Sequence, residues 1–240
     1  MAFKYREETV GKRFLFVAGC VKLKRNKLLS DFQWKRGVIR ASTHKDIKNS
    51  ELSVLVEYDN VDWKKREWIH VHDQNVFFVE DTLVWAVNKQ SNQNNNNILW
   101  PALSFKLIYD KIGVAQHKSK PIEYFSDKKL EFVDDCDLKV HHDLDWENYP
   151  CFFECPDVKK WVRQWTEFQD GQRILLNTPS VLVGYRVKVY RSEGTTQWYT
   201  AVIVSYNENT KQLTLTDDTV LEEHNEDPSL VQMKLIGDGG

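Results

Sequence analysis

Apolar and polar residues alternate in short runs along most of this chain, and the runs predict a mainly β protein. RFLFV at 13–17 reads as a first strand. In the stretch 34–68, Val38, Ile39, Leu52, Val54, Val56 and Tyr58 fall on period-two patterns between polar breaks, which predicts strand, turn, strand, aromatic-rich turn, strand. Strands this close in sequence cannot be joined by parallel crossovers. A small, strongly bent antiparallel sheet or barrel is therefore expected. Further strands are expected at 69–71, 76–79 and 83–86, the last closing the unit.

The low-complexity run QSNQNNNN at 90–97 cannot bury anything, and apolar content resumes at once with Trp100, Pro101, Ala102 and Leu103, so it reads as a loop. Alternation at 120–127 and 129–134 around a polar turn predicts a hairpin, and the acidic stretch 134–145 belongs on the surface. One helix is expected near 156–170. Pro156 stands at its first position, Asp157 in its first turn, and Gly171 at its end. Val158, Trp161, Val162, Trp165 and Phe168 follow at three- and four-residue spacings and define a face to be buried. Tyr185, Val187 and Val189, then WYTAVIVSYN, then QLTLTDD repeat the layout of the first β unit. The pattern thus divides the chain into a β barrel over 9–89, an α+β connector over 90–178 acting as a helix-containing brace, and a second barrel over 179–237.

Composition adds direction to this outline. With 41% hydrophobic residues and nine tryptophans among 240, a packed core is expected. Residues 1–70 carry 16 Lys and Arg against 9 Asp and Glu, net +7, while the remainder carries 17 against 26, net −9. The N-terminal part therefore suits a polyanion, and a solvated basic face is the plain alternative. Lys22, Lys24, Arg25 and Lys27, joined by Lys64, Lys65 and Arg66, are the candidate contacts for DNA or RNA phosphate. No helix-turn-helix or zinc-finger spacing accompanies them. The N-terminus carries charge where a signal peptide is apolar, no apolar run approaches the roughly 20 residues that span a bilayer, and the four scattered cysteines suit a reducing compartment. The closing GDGG suggests a flexible segment of something longer.

The candidate chemistry lies at the loop edges of the first β unit. Trp34, Tyr58, Trp63 and Trp68 stand there with Asp59 and Asp62, and rings beside a carboxylate suit a methylated ammonium, which cation–π attraction holds without ammonium hydrogen bonds. The same rings also suit closing a small core.

Both β units resemble Tudor-type, SH3-like barrels of the chromatin-binding Royal class, through WKRGVIRAS and LVEYDNVDW in the first and WYTAVIVSY and LTLTDD in the second. Carried over residue by residue, that resemblance implies a ligand cage of Trp34, Tyr58 and Trp63 with Asp59. In the second unit it implies Tyr190 and Tyr199 with Asp217 and Asp218, although Thr216 and Thr219 stand where the family supplies its other rings. A closer resemblance, carried in order by VGKRFLFVA, RGVIRASTHKD, LSVLVEYDNVDWKKREWIHVH, LVWA, WPALSF, GYRVKVYRSEGTTQWYTAVI and EDPSLVQM, is to the N-terminal region of the lysine-specific demethylase 3 family of jumonji-domain proteins. It implies a nuclear parent that removes mono- and dimethyl marks from lysine nine of histone H3 with Fe(II) and 2-oxoglutarate. It further implies that the catalytic domain and its zinc finger lie outside these residues, so that no cofactor is expected here. The partner expected is a histone tail or chromatin protein, and a protein–protein or self-association scaffold without a cage is the third reading.

Two groupings imitate metal sites. His141 and Asp143 form an H-x-D, with His224 further on, but in an acidic stretch and a loop rather than in a rigid interior. Cys136, His141, His142, Cys151 and Cys155 cluster without the C-x-x-C pairs of structural zinc sites. No metal is expected, and no phosphate loop, nucleophile elbow or catalytic carboxylate pair points to an enzyme.

Overall fold

The computed structural model describes residues 7–20, 28–87, 98–141 and 148–236. The expectation of a mainly β chain holds: there are two sheets, and among the described residues one helix of seven residues or more. The strands are β1 (Arg13–Val17), β2 (Lys35–Ser42), β3 (Ser53–Tyr58), β4 (Glu67–His70), β5 (Val76–Val87), β6 (Leu99–Asp110), β7 (Ser119–Tyr124), β8 (Leu130–Asp134), β9 (Lys139–Val140), β10 (Arg186–Tyr190), β11 (Trp198–Asn207), β12 (Gln212–Asp217), β13 (Glu223–Glu226) and β14 (Met233–Ile236). A helical turn, α1 (Cys151–Glu154), precedes the long helix α2 (Pro156–Asn177). The chain divides into two compact units. The first holds residues 1–14, 35–74 and 168–240, the second 15–34 and 75–167.

In the second unit β5, β6, β7 and β8 pair antiparallel in that order. The two short strands expected at 76–79 and 83–86 are one strand with a register shift between Glu80 and Leu83. That irregularity restores the inward phase, so both apolar runs reach the core. Leu15, Val17, Trp85, Phe105, Tyr124, Val158 and Val162 form this core. Trp165 joins its edge and donates its indole N–H to Glu80 at 2.8 Å, whereas Trp161 is 36% exposed, so the helix buries a narrower face than its spacing predicts.

The first unit joins stretches far apart in sequence. Its hairpin β2–β3–β4 pairs from Gly37 opposite Tyr58 to Ser53 opposite His70. Its five-stranded sheet runs β13-β12-β11-β10-β14 around Leu175, Leu182, Val187, Val189, Ala201, Ile203, Leu213, Leu215 and Met233. The pattern alone separates these stretches by a connector. Here the backbone joins them: Ser42 N–H donates to Leu230 at 2.8 Å, and Gln232 N–H to Arg40 at 2.9 Å.

The helix does not stop at Gly171, as expected, but continues to Asn177. A glycine inside a helix costs about 1 kcal/mol. Beyond it, Leu175 is buried in the sheet's core and Gln172 donates to the Met233 carbonyl, which offsets that cost.

Glu57 is the polar centre of the first unit. It accepts from Arg40 at 2.8 and 3.2 Å, from the Tyr190 hydroxyl at 2.9 Å and from Gln197 at 2.9 Å. Arg40 also donates to Gln232 at 2.7 Å, and its guanidinium lies 5.3 Å from the ring centres of Tyr190 and Trp198. Burial pushes the Glu57 carboxyl up, but the Arg40 and Gln197 hydrogen bonds outweigh it and hold the group below the ordinary glutamate value.

Two outcomes are expected. A Cβ on Gly37 would stand 2.0 Å from the Glu57 carbonyl oxygen. Backbone cannot swing aside, so Gly37→Ala is expected to cost about 3 kcal/mol or more in urea unfolding. Because the folded Glu57 pKa is depressed, its stabilisation is complete above the unfolded value of about 4.3 and is lost as pH falls through the lower folded value. Glu57→Gln is therefore expected to be about 1–3 kcal/mol less stable than the parent at pH 7, with the gap closing below pH about 4.

Candidate functional site

An open pocket of about 730 Å³ in the first unit is lined by Leu55, Trp63, Arg66, Glu67, Trp68 and the loop 192–195, with Lys64 at the same surface. Local chemistry sets each wall. Asp62 accepts from the Lys64 N–H at 2.9 Å and caps the turn Trp63–Lys65, which holds the Trp63 indole in place. Trp68 stands on β4 opposite Leu55 and is 46% exposed. The far wall turns at Gly194, whose φ of 95° favours glycine, and its carbonyl accepts from Arg66 at 3.2 Å. Arg66 also lies 4.8 Å from the Trp63 ring centre. Glu67 and Glu193 are acidic residues of the same lining as the two indoles, alongside Lys64 and Arg66, so the pocket offers ring faces with charges of both signs at their edge.

The sequence-predicted cage residues have different surroundings. Trp34 belongs to the second unit, where it donates to Leu29 at 2.8 Å and packs against Phe32, Phe78 and Phe132. It is a packing residue there, which corrects its expected place in the cage. Tyr58 sits beside the pocket rather than in its lining. Its hydroxyl donates to Glu67 at 2.8 Å, its ring meets Phe14 edge-on, and Lys35 lies 5.5 Å from its centre. Burial first, and then Glu67, push its phenol pKa well up. Asp59 is engaged by Arg13 and by Arg36 at 3.8 Å. Of that set Trp63 reaches the pocket, and Trp68 and Glu67, which the carried-over motif omits, complete it. The available signal for Trp68 was its place in the aromatic set of the 34–68 stretch, five residues after Trp63.

In the second barrel Tyr190 is 1% exposed, with its hydroxyl on Glu57, so it is a core ring rather than an open cage wall. This too corrects the motif-based expectation. Tyr199 carries the Arg191 guanidinium 4.5 Å from its ring centre. Asp217 accepts from Arg191 at 2.9 Å and from the N–H groups of Thr219 and Val220, while Asp218 pairs with Arg186.

Of the basic candidates, Lys22, Lys24, Arg25 and Lys27 lie outside the described residues. Lys64 and Arg66 line the pocket, and Lys65 is exposed beside it. His142 and Asp143 also lie outside the described residues. Iron or zinc does not fit the donors that are described. The His141 Nδ1 already accepts from the Trp85 indole at 3.1 Å, burial pushes the Cys151 thiol up to about 12, and no group of three His, Cys, Asp or Glu is placed to hold an ion among the described residues.

Comparison with known proteins places the parts of the chain. A domain of unknown function, DUF7030, matches residues 8–68. The PWWP domain of lysine-specific demethylase 3B matches 77–172, and the tudor domain of the same protein matches 174–240. The PWWP match covers much of what the pattern gave to a connector. Among relatives, the human "Probable JmjC domain-containing histone demethylation protein 2C" is 37% identical over 99% of this chain. "Lysine-specific demethylase 3A" of Gallus gallus and of Mus musculus are each 28% identical over 95% of it. The chain spans 10%, 17% and 18% of the lengths of these three relatives.

Proposed function

The chain belongs to the lysine-specific demethylase 3 family, and from that premise we propose that it is a non-catalytic chromatin-recruitment module that grips a basic histone tail at the Trp63–Trp68 pocket. The observation that carries this reading is that two indoles, Trp63 and Trp68, and two acidic residues, Glu67 and Glu193, line one open pocket. A lysine entering there would lay its stem on Trp68 and its ammonium toward the acids. Methylation would favour ring contact over hydrogen bonding, because each methyl group removes a donor and spreads the charge. In this reading the iron, 2-oxoglutarate and zinc of the demethylase reaction belong to other parts of a longer nuclear protein, and this segment brings that protein to lysine nine of histone H3.

A second reading is supported by Lys64 and Arg66 at the same pocket and Lys65 beside it: contact with nucleic-acid phosphate, with the indoles as stacking platforms. The two differ in what they respond to.

Fluorescence anisotropy with a labelled histone H3 tail peptide, unmodified and dimethylated at lysine nine, tests the proposal. Trp68→Ala and Trp63→Ala are each expected to weaken binding by about 3- to 30-fold. Trp68→Ala is expected to cost no more than about 1.5 kcal/mol of stability, since nearly half of the residue is already exposed. Unaltered peptide affinity in both variants would sink the histone reading. Tight duplex binding that collapses with salt and depends on Lys64 and Lys65 would replace it with the nucleic-acid one.

A further inference from the structure

In the second barrel one of the chain's own cations lies between an aromatic ring and a buried carboxylate. The Arg191 guanidinium lies 4.5 Å from the Tyr199 ring centre and donates to the Asp217 carboxylate at 2.9 Å. The His224 ring packs 5.5 Å from Tyr199, and the Tyr199 hydroxyl makes a long hydrogen bond, 3.5 Å, to Glu226. Asp217 is fully buried, an expensive place for a carboxylate unless a positive charge and hydrogen bonds accompany it. It has both. Two backbone N–H groups, from Thr219 at 2.8 Å and Val220 at 3.3 Å, hold one oxygen, while Arg191 holds the other.

We infer that Arg191 is the resident cation of this ring-and-carboxylate pocket, and that the second barrel is closed to an external alkylammonium unless Arg191 leaves. Three features support the inference independently of the Trp63–Trp68 reading. The guanidinium is planar and stacks on an aromatic face more readily than a lysine ammonium. Its Nε is buried without a hydrogen-bond partner, so the ring face and Asp217 hold the group without a second acceptor on that atom. Burial alone would push the Asp217 carboxyl up, yet the Thr219 and Val220 N–H groups and the Arg191 charge keep it below the ordinary aspartate value. An ionised, buried acid is the partner that an incoming cation would need. Arg191 follows directly on β10 and is one-third exposed in its side chain, so it can leave toward solvent without moving the strand.

Titration of the whole chain with tetramethylammonium chloride, followed by ¹H–¹⁵N NMR, tests this. Amides of Tyr199, Thr219, Val220 and His224 report on the second barrel, and the indole N–H signals of Trp63 and Trp68 report separately on the first pocket. In the parent, the second-barrel amides are expected to stay still. In Arg191→Ala they are expected to titrate, with an apparent affinity at least about tenfold tighter than in the parent. Arg191→Gln keeps a donor for Asp217 and removes the charge, so it serves if the alanine variant folds poorly, and it should titrate too. Equal titration of parent and variants overturns the inference. A folded variant whose second-barrel amides never move overturns it as well, whether or not the indole signals of the first pocket shift.

Discussion

The first unit depends on a single carboxylate. Glu57 lies on β3 of the N-terminal hairpin, yet the tyrosine and glutamine that donate to it, Tyr190 and Gln197, lie 133 and 140 residues further along. With Arg40 they form a network in which each polar group finds a partner at little exposure, which gives a buried charge its stability. Tyr190 then packs edge-on against Trp198, and Ala41, Leu55 and Tyr190 share a small apolar cluster around the same spot. Polar and apolar contacts here specify the same arrangement, so the hairpin and the C-terminal barrel hold one register against each other.

That network shapes the surface chemistry. Rings that a motif would assign to a foreign cation mostly hold one of the chain's own: Lys35 on Tyr58, Arg66 on Trp63, Arg40 on Tyr190 and Trp198, and Arg191 on Tyr199. An aromatic face near a carboxylate attracts whichever cation is nearest, and a tethered one carries no translational entropy cost. A ligand must therefore find a ring surface that these contacts leave accessible, or displace a resident guanidinium.

The tudor and PWWP matches meet near residue 173, and α2 runs through that point without a break. Val158 and Val162 serve the second unit's core and Leu175 serves the first's. A boundary between two sequence families thus falls inside one hydrogen-bonded element, because a helix continues wherever each successive turn has a surface to bury.

The apolar run RFLFV located β1, which is buried on both faces, and period-two alternation located the 119–134 hairpin and the three long strands of the second barrel, because such patterns mark strand faces that meet a core whatever their long-range partners. Pro156 marked the start of α2 for a local reason too, since only the first helical turn can spare its N–H. The order of several recognisable blocks along the chain was likewise enough to identify the family. Where the helix ends, and which rings are open, was not local. Gly171 reads as a stop until Leu175 has a core to enter, and Tyr190 reads as a surface ring until Glu57 reaches it from the other end of the chain. Sequence determined the β character, most strands with a clear apolar pattern and where the helix begins; tertiary structure decided strands such as β6 and β14, the end of the helix and which aromatic faces remain exposed, because these are set by residues brought near only when the chain closes on itself.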